Sequence, residues 1–439
     1  ELLVAVAALW ALGAVPVVAD LNGGIKQLRN LFRAAAPTAV IGSKMTIRVS
    51  RLLRLAPGAK YGVLGRHSRH ALENGETLPR SAFVQLTHDM VAAIVHTSGA
   101  TGPAKPVRYS HGALEAQRDL FSDVFPLAPG EAFTTSFAPF LLLAPAIERT
   151  CLLPNIRFDR PSRLRSSHLR ELTARSPLGL AWFSPAAARG VVIEPHDPGV
   201  AIQRVLLAGA PIDDELRASV QRATHGEVSA PYGMTECLPI TDGTTLGRGL
   251  LGGTNTGYPA RDCRIRIVAL DQLETELPPG QWGEILVSAP WMFEGYEQHW
   301  LENAKSQIYA DGVRFHRTGD VGYIEEGVLF HLGRRTHVIE SSQGSLASVA
   351  IEEQVEQVLD CPVAAVGVGP SGAQVVVMIL ASCGQLRLAE SHRAALVRTA
   401  VTCRIAAVLE GALPLDTRHQ SKIDRLTLAH LATDYLSGR

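Results

Sequence analysis

The chain has no cysteine pair at C-x-x-C spacing, no long run of one charge and no charge excess, since Lys plus Arg and Asp plus Glu are both 42. Its six cysteines (Cys151, Cys237, Cys263, Cys361, Cys383 and Cys403) stand far apart, so neither a zinc site nor a disulfide framework can be read from them, and a reducing cytoplasm fits. Without a basic stripe, no nucleic-acid groove and no anionic membrane surface is expected, and small-molecule chemistry is the better expectation. Neither G-x-x-x-x-G-K-[ST] nor the H-R-D and D-F-G pair occurs, which sets aside P-loop NTPases and protein kinases. Internal repeats and low-complexity tracts are also lacking.

What is present is 439 residues, enough for two or three compact units at roughly 150 residues each. The apolar stretch Leu2 to Ala19 lacks a basic leader and is broken by Gly13 and Pro16. It reads as a buried helix running into a strand rather than as a signal peptide or transmembrane segment. The abrupt start without Met predicts a missing N-terminal segment. Further on, β-branched runs alternate with amphipathic stretches, as expected of α/β layers. Residues 92 to 96 and the region of Val107 read as strands, followed by a helix capped by Ser110. Residues 204 to 209 read as another strand, then a helix capped by Asp213 and Asp214, with Leu216, Val220 and Ala223 on one face and Gly226 as its stop. From Asp262 the pattern turns to strands and hairpins, with a tight turn at Glu326-Gly327. The tail predicts a helix from Ile351 to Leu359, two strands, and a helix from Arg393 to Leu409. A domain boundary is expected near Arg334 to Thr336, giving residues 1–334 and 335–439.

Four motifs carry chemistry. Thr97-Ser98-Gly99-Ala100-Thr101-Gly102-Pro103-Ala104-Lys105 joins two predicted strands. Its glycines allow close backbone approach, its N–H groups and hydroxyls can donate to a polyphosphate, and Lys105 adds a point charge. Tyr232-Gly233-Met234-Thr235-Glu236, preceded by Gly209-Ala210-Pro211, offers an aromatic face, a hydroxyl and a carboxylate suited to Mg2+. Arg317-Thr318-Gly319-Asp320 precedes a hairpin and Gly333-Arg334. The fourth is Lys422, within Arg418-His419-Gln420-Ser421-Lys422. Read without a partner, these could also be a solvated loop, a hairpin-edge ion pair and a surface lysine.

In this order, over nearly the whole chain, the motifs resemble those of the adenylate-forming superfamily. The resemblance implies an α/β architecture: a large adenylation domain of several subdomains followed by a small, mobile α+β domain carrying the catalytic Lys. It implies ATP and Mg2+ as cofactors. Thr97, Ser98, Gly99, Thr101, Gly102 and Lys105 would hold phosphates, and Gly209, Ala210, Pro211, Tyr232 and Gly233 would line the adenine pocket. Thr235 would reach the α-phosphate, Glu236 would hold the metal, and Asp320 and Arg334 would take the ribose. Lys422 would offset charge as the carboxylate attacks phosphorus. The chain departs from the family pattern at Ala100, at Ala104-Lys105-Pro106, at Thr336 where an Asp is usual, and at Ser421 where a Gly is usual.

Several stretches, Gly102 to Val107, Phe137 to Phe140 with Leu152 to Pro154, and Arg418-His419, resemble the β-lactone synthetases of bacterial olefin and lactone pathways. That implies a long-chain 2-alkyl-3-hydroxy acid whose own hydroxyl displaces AMP, an intramolecular attack for which effective molarities of about 10^5 to 10^8 M are attainable. His419 would assist in deprotonating that hydroxyl or, alternatively, only order its loop. Association with other enzymes of the same lipid pathway is expected. The run Phe140 to Pro145 either lines an acyl tunnel or packs the core. An acyl-CoA or acyl-AMP ligase is the rival activity, weakened by Glu340 where a Lys is common. An inactive nucleotide-binding homologue is the rival from outside enzymology.

Overall fold

The computed structural model describes residues 2–18, 24–64, 79–97, 104–158, 160–193, 200–209, 212, 214–244, 247, 249–359, 361–389, 391–392, 396, 403–414 and 423–438. At its centre is a five-stranded sheet in the order Thr150–Cys151, Ala132–Thr135, Leu178–Phe183, Ile202–Leu207, Glu227–Ser229. All four pairings are parallel. The run LGLAWF is buried at every position, as a parallel strand covered on both faces must be. Ala181 and Phe183 face Leu169, Ala188 and Val220 of the helices on one side. Leu180 and Trp182 face Phe121 of the helix His111–Val124 on the other. Each fully buried side chain of this size contributes about 1.5–3 kcal/mol.

The expected capping of that second helix is present: Ser110 Oγ accepts from Ala113 N at 3.2 Å. The helix after the Ile202–Leu207 strand spans Asp214–Thr224 and buries Leu216, Val220 and Thr224. Asp213 lies outside the described residues. Its end has a different cause from the one expected. His225 takes the left-handed conformation (φ 57°), whereas Gly226 is needed because a Cβ there would meet Ile202 O at 1.9 Å.

A second, antiparallel sheet runs Thr254–Asn255, Val328–Arg334, Val313–Glu325, Gly283–Ser288, Arg264–Val268, with Gln307–Ala310 also paired to Val313–Glu325. Its hairpin turns at Glu326 and Gly327, both at positive φ (50° and 82°), the geometry that suits the right-handed twist of paired strands. A third sheet orders Gly295–Tyr296, Pro106–Ser110 and Val91–His96.

After Arg334 come the hairpin Ile339–Ser341 with Gly344–Leu346, and a four-stranded sheet in the order Val363–Val368, Val375–Ala381, Ile405–Gly411, Arg387–Leu388. Helices Ser348–Leu359 and Arg425–Leu436 cover it. The helix expected through Leu409 is therefore a correction: Ile405–Gly411 is a strand, parallel to Val375–Ala381. Its Ala-rich sequence favours helix locally, but pairing with a buried neighbour overrides propensity.

The N-terminal expectation is also corrected. Leu2–Ala11 is helical, but only Val6 of its described side chains is buried, and Val4 is 48% exposed. Trp10 fixes the helix to the body by donating Nε1–H to Ala92 O at 2.7 Å. The strand expected after it is reduced to one parallel bridge, Val17 to Ile94. Among the described residues no helix is long and apolar enough to cross a membrane.

Candidate active site

The loop carrying Tyr232 to Glu236 leaves the last strand of the parallel sheet and folds back on itself. Met234 and Cys237 exchange backbone hydrogen bonds at 3.0 Å, and Tyr232 N donates to Thr241 Oγ1 at 2.9 Å. A Cβ at Gly233 would approach Leu238 Cδ1 to 2.5 Å, so any larger residue would have to displace the Leu238 side chain. The loop is further held by Tyr109, whose hydroxyl donates to Thr235 O at 2.6 Å. So fixed, Tyr232 donates its hydroxyl to Asp320 Oδ2 at 2.6 Å.

Asp320 lies on the long strand of the antiparallel sheet, directly across from Arg334. Gly319, at φ 69°, turns the chain just before it. Thr318 Oγ1 accepts from Asp320 N at 3.0 Å and donates to Ile285 O at 2.8 Å. Arg334 Nε stands 3.1 Å from Asp320 Oδ1, and His331 Nε2 3.4 Å from Oδ2. Burial opposes ionisation of Asp320. His331 and Arg334, with the hydrogen bonds from His331 and Tyr232, outweigh it and hold the carboxyl down at about 2. Asp320 Oδ1 is nonetheless a buried acceptor with no hydrogen bond, because the Arg334 N–H is near without being aimed at it. Arg317, three residues earlier on the same strand, faces elsewhere and forms a two-pronged pair with the buried Glu284 at 2.9 and 2.7 Å. That pair anchors the strand.

A second group lies beside the first. Glu236 is buried and accepts from Tyr296 Oη at 2.6 Å. Burial raises its pKa, only partly offset by the Tyr296 hydrogen bond and by Lys105 and Arg334. Lys105 Nζ sits 4.9 Å from the centroid of the Tyr296 ring and 2.6 Å from Glu302 Oε2. Its backbone is tied to Thr97, with Lys105 N donating to Thr97 Oγ1 at 2.9 Å. Tyr232, bonded to Asp320, and Glu236, bonded to Tyr296, lie on the same five-residue loop, so the two groups adjoin.

The structure thus brings together Tyr232, Thr235, Glu236, Asp320, Arg334, Lys105 and Thr97. Gly209 lies at the end of the neighbouring parallel strand at φ 106°, with Phe137 Cζ at 3.7 Å from the position a Cβ would take. Ser98, Gly99, Thr101, Gly102, Ala210, Pro211, His419 and Lys422 lie outside the described residues. Sequence reasoning missed His331, Tyr296 and Glu302. Tyr296 is preceded by a glycine at positive φ, and His331 is a lone histidine in an apolar strand. Neither spacing nor residue type marks Glu302.

The run Phe140 to Pro145 forms two short helical turns, Ala138–Leu142 and Leu143–Ala146. Phe140 stacks on Trp182 at 4.2 Å between ring centroids. Phe140 and Leu143, with Phe121, Phe125, Phe133, Ile147, Leu180 and Trp182, line an apolar crevice.

A parallel sheet feeding a Tyr-Gly-x-Thr-Glu loop toward a buried Asp–Arg pair defines a nucleotide-dependent adenylating enzyme. Known proteins agree. The profile of the AMP-binding enzyme family matches residues 1–297, and the chain belongs to that family. It is 31% identical to the olefin beta-lactone synthetase of Stenotrophomonas maltophilia (strain K279a), over 98% of this chain and 84% of that protein. The olefin beta-lactone synthetase of Xanthomonas campestris pv. campestris is 31% identical over 96% and 82%. In fold the chain resembles ATP-bound MatB from Rhodopseudomonas palustris (TM-score 0.79, 20% identity, 99% and 87% covered). It also resembles O-succinylbenzoate coenzyme A synthetase from Bacillus subtilis in complex with ATP and magnesium ion (TM-score 0.74, 20% identity, 97% and 86% covered). The protein is an ATP-dependent, adenylate-forming ligase of β-lactone-synthetase-like sequence.

Proposed function

We propose that the protein activates a long-chain 2-alkyl-3-hydroxy acid as its acyl-AMP, releasing pyrophosphate, and then closes it to a β-lactone, releasing AMP. The observation that carries the nucleotide half is the buried, unsatisfied Oδ1 of Asp320 beside Tyr232 and Arg334. An ionised carboxylate with an unused acceptor, set between Arg334 and His331, suits a ribose hydroxyl donor. Glu236 fits a divalent cation by the same logic, since burial penalises its ionised form and a hard cation would restore it. Bound there, Mg2+ would supply neutralisation of phosphate charge.

This chain's own residues then do the following. Asp320 and Arg334 orient the ribose, and Tyr232 presents its ring to the base. Thr235 and Lys105 meet the phosphates, and Lys422 offsets charge as a substrate carboxylate oxygen bonds to the α-phosphorus and the bond to pyrophosphate breaks. In the second step the β-hydroxyl oxygen, its proton taken by His419, bonds to the acyl carbon as the bond to AMP breaks. Residues 335–439 act as a separate small domain that rotates on 1–334 between the two steps.

The likeness to β-lactone synthetases over nearly the whole chain supports the lactone half. Mass spectrometry of products from ATP, Mg2+ and a long-chain 2-alkyl-3-hydroxy acid, run without and then with coenzyme A, tests it. A product lighter than the acid by one water, with AMP and no thioester, is expected. A thioester formed only with coenzyme A would make the enzyme an acyl-CoA ligase instead.

A further inference from the structure

Lys105 is the only described cation of its loop, and in this structure its charge is already engaged. Its ammonium lies 2.6 Å from Glu302, on the short helix Trp300–Ser306. That helix is tied to the strand that pairs beside Lys105. The Asn303 side chain clamps the Tyr296 backbone, accepting from Tyr296 N at 2.6 Å and donating to Tyr296 O at 2.8 Å. The helix backbone at Glu302 is thereby pinned beside Lys105, whose side chain is 35% exposed. Lys305, 3.8 Å from the other Glu302 oxygen, supplies a replacement cation if Lys105 leaves. On its other side Lys105 lies over the Tyr296 ring, whose hydroxyl donates to Glu236, and it acts electrostatically on that carboxyl group. Both members of the Lys105–Glu302 pair are about one-third exposed, which keeps the pair weak enough to exchange.

We propose that Glu302 is a positioning residue that holds Lys105 off the phosphate path and competes with the nucleotide's phosphates for it. This rests on the adenylation reading above. The device weakens binding of ATP and of pyrophosphate alike. Because Lys105 has a carboxylate to return to, pyrophosphate leaves more readily once the acyl-AMP has formed. Nothing covalent is involved; one ammonium changes anionic partners.

Calorimetric titration with Mg-ATP, in the absence of any acid, tests the proposal on the wild type, Glu302→Gln, Glu302→Asp, Lys105→Ala and the double variant Lys105→Ala/Glu302→Gln. Glu302→Gln is expected to bind Mg-ATP about three- to five-fold tighter, the range available from a partly exposed ion pair. It should also show a matching fall in the pyrophosphate inhibition constant, with Glu302→Asp close to wild type. In the Lys105→Ala background the glutamine substitution should do nothing. Unchanged or weaker binding by Glu302→Gln would overturn the proposal while leaving adenylation intact. So would an equal gain in the Lys105→Ala background, which would reveal only removal of a negative charge near an anionic ligand. A wild-type protein that does not bind Mg-ATP at all would overturn the adenylation reading and this proposal with it.

Discussion

The two halves of the candidate site handle charge in opposite ways. Around Asp320, every partner is in place before any ligand arrives: Tyr232 at 2.6 Å, Arg334 at 3.1 Å, His331 at 3.4 Å, all around a carboxylate that is 3% exposed. Around Lys105, the pairing is a contact with Glu302 that is about one-third exposed, and the neighbouring Glu236 is buried with its ionised form disfavoured. The first half is satisfied but for one acceptor, and the second is poised to be rearranged. Low dielectric explains the difference. A buried charge must be paired at all times, whereas one at the rim can trade partners at little cost. The rigid half suits a sugar whose hydroxyls do not change during the reaction. The looser half suits phosphates that arrive, react and leave.

The largest effect should come from breaking the rigid half. Asp320→Asn leaves Arg334 without its buried counter-charge, a loss of about 3–5 kcal/mol in comparable pairs. It should lower acid-dependent pyrophosphate release by about 100-fold or more. The sign of the pH dependence follows from the depressed pKa. With a folded-state value near 2 against about 3.9 when unfolded, Asp320 stabilises the protein fully above about pH 4. That contribution, about 2 kcal/mol, is lost as pH falls toward 2. Urea titrations should therefore show the gap between wild type and Asp320→Asn narrowing from pH 4 downward. A constant gap would mean that Asp320 is not the ionised partner of Arg334.

Glu236→Gln should split stability from activity. Burial raises the Glu236 pKa, so its ionised form is a net cost to folding at pH values above that raised pKa. The glutamine carbonyl can still accept from Tyr296. A higher urea midpoint at pH 8 together with pyrophosphate release reduced by about 10- to 100-fold is expected, the pattern of a residue kept for function at the expense of the fold. A lower midpoint with unchanged turnover would remove Glu236 from the candidate site.

Most of the rigid half was legible in the sequence, because its members sit in short motifs whose spacing is fixed by local geometry. Gly319 and the Glu326-Gly327 turn each serve a backbone requirement that the glycine announces. The partners that complete the looser half were not legible. Glu302 and Tyr296 reach Lys105 only because Gly295–Tyr296 pairs with the strand Pro106–Ser110, a contact across almost 200 positions of sequence. His331 depends on a register shift between Val321 and Gly322 that turns its strand's neighbour. The two errors of fold have the same origin. Ile405–Gly411 and the N-terminal helix were read from local composition, while their state is set by which neighbours they meet. Whether Phe140 to Pro145 packs or lines could not be read either; in the structure Phe140 stacks on Trp182 and, with Leu143, packs against the core, leaving a gap hardly larger than a water.

The smallest effect should follow from Tyr232→Phe, which removes one hydroxyl from the rigid half and leaves its charges paired. The lost hydrogen bond to Asp320 is a charge-assisted one, worth about 1.5–3 kcal/mol when its acceptor is left without replacement. His331 stands 3.4 Å from that same oxygen and can take up part of the loss. The ring itself stays, 5.2 Å from His331, so stacking on a base is untouched. A rise of about three- to ten-fold in the KM for ATP with kcat nearly constant is expected from steady-state pyrophosphate release. A fall in kcat of the same size, with KM unchanged, would mean that the hydroxyl acts in the transition state rather than in holding Asp320. The contrast between a rigid half proposed for the sugar and a looser half proposed for the phosphates would then fail at its most rigid residue.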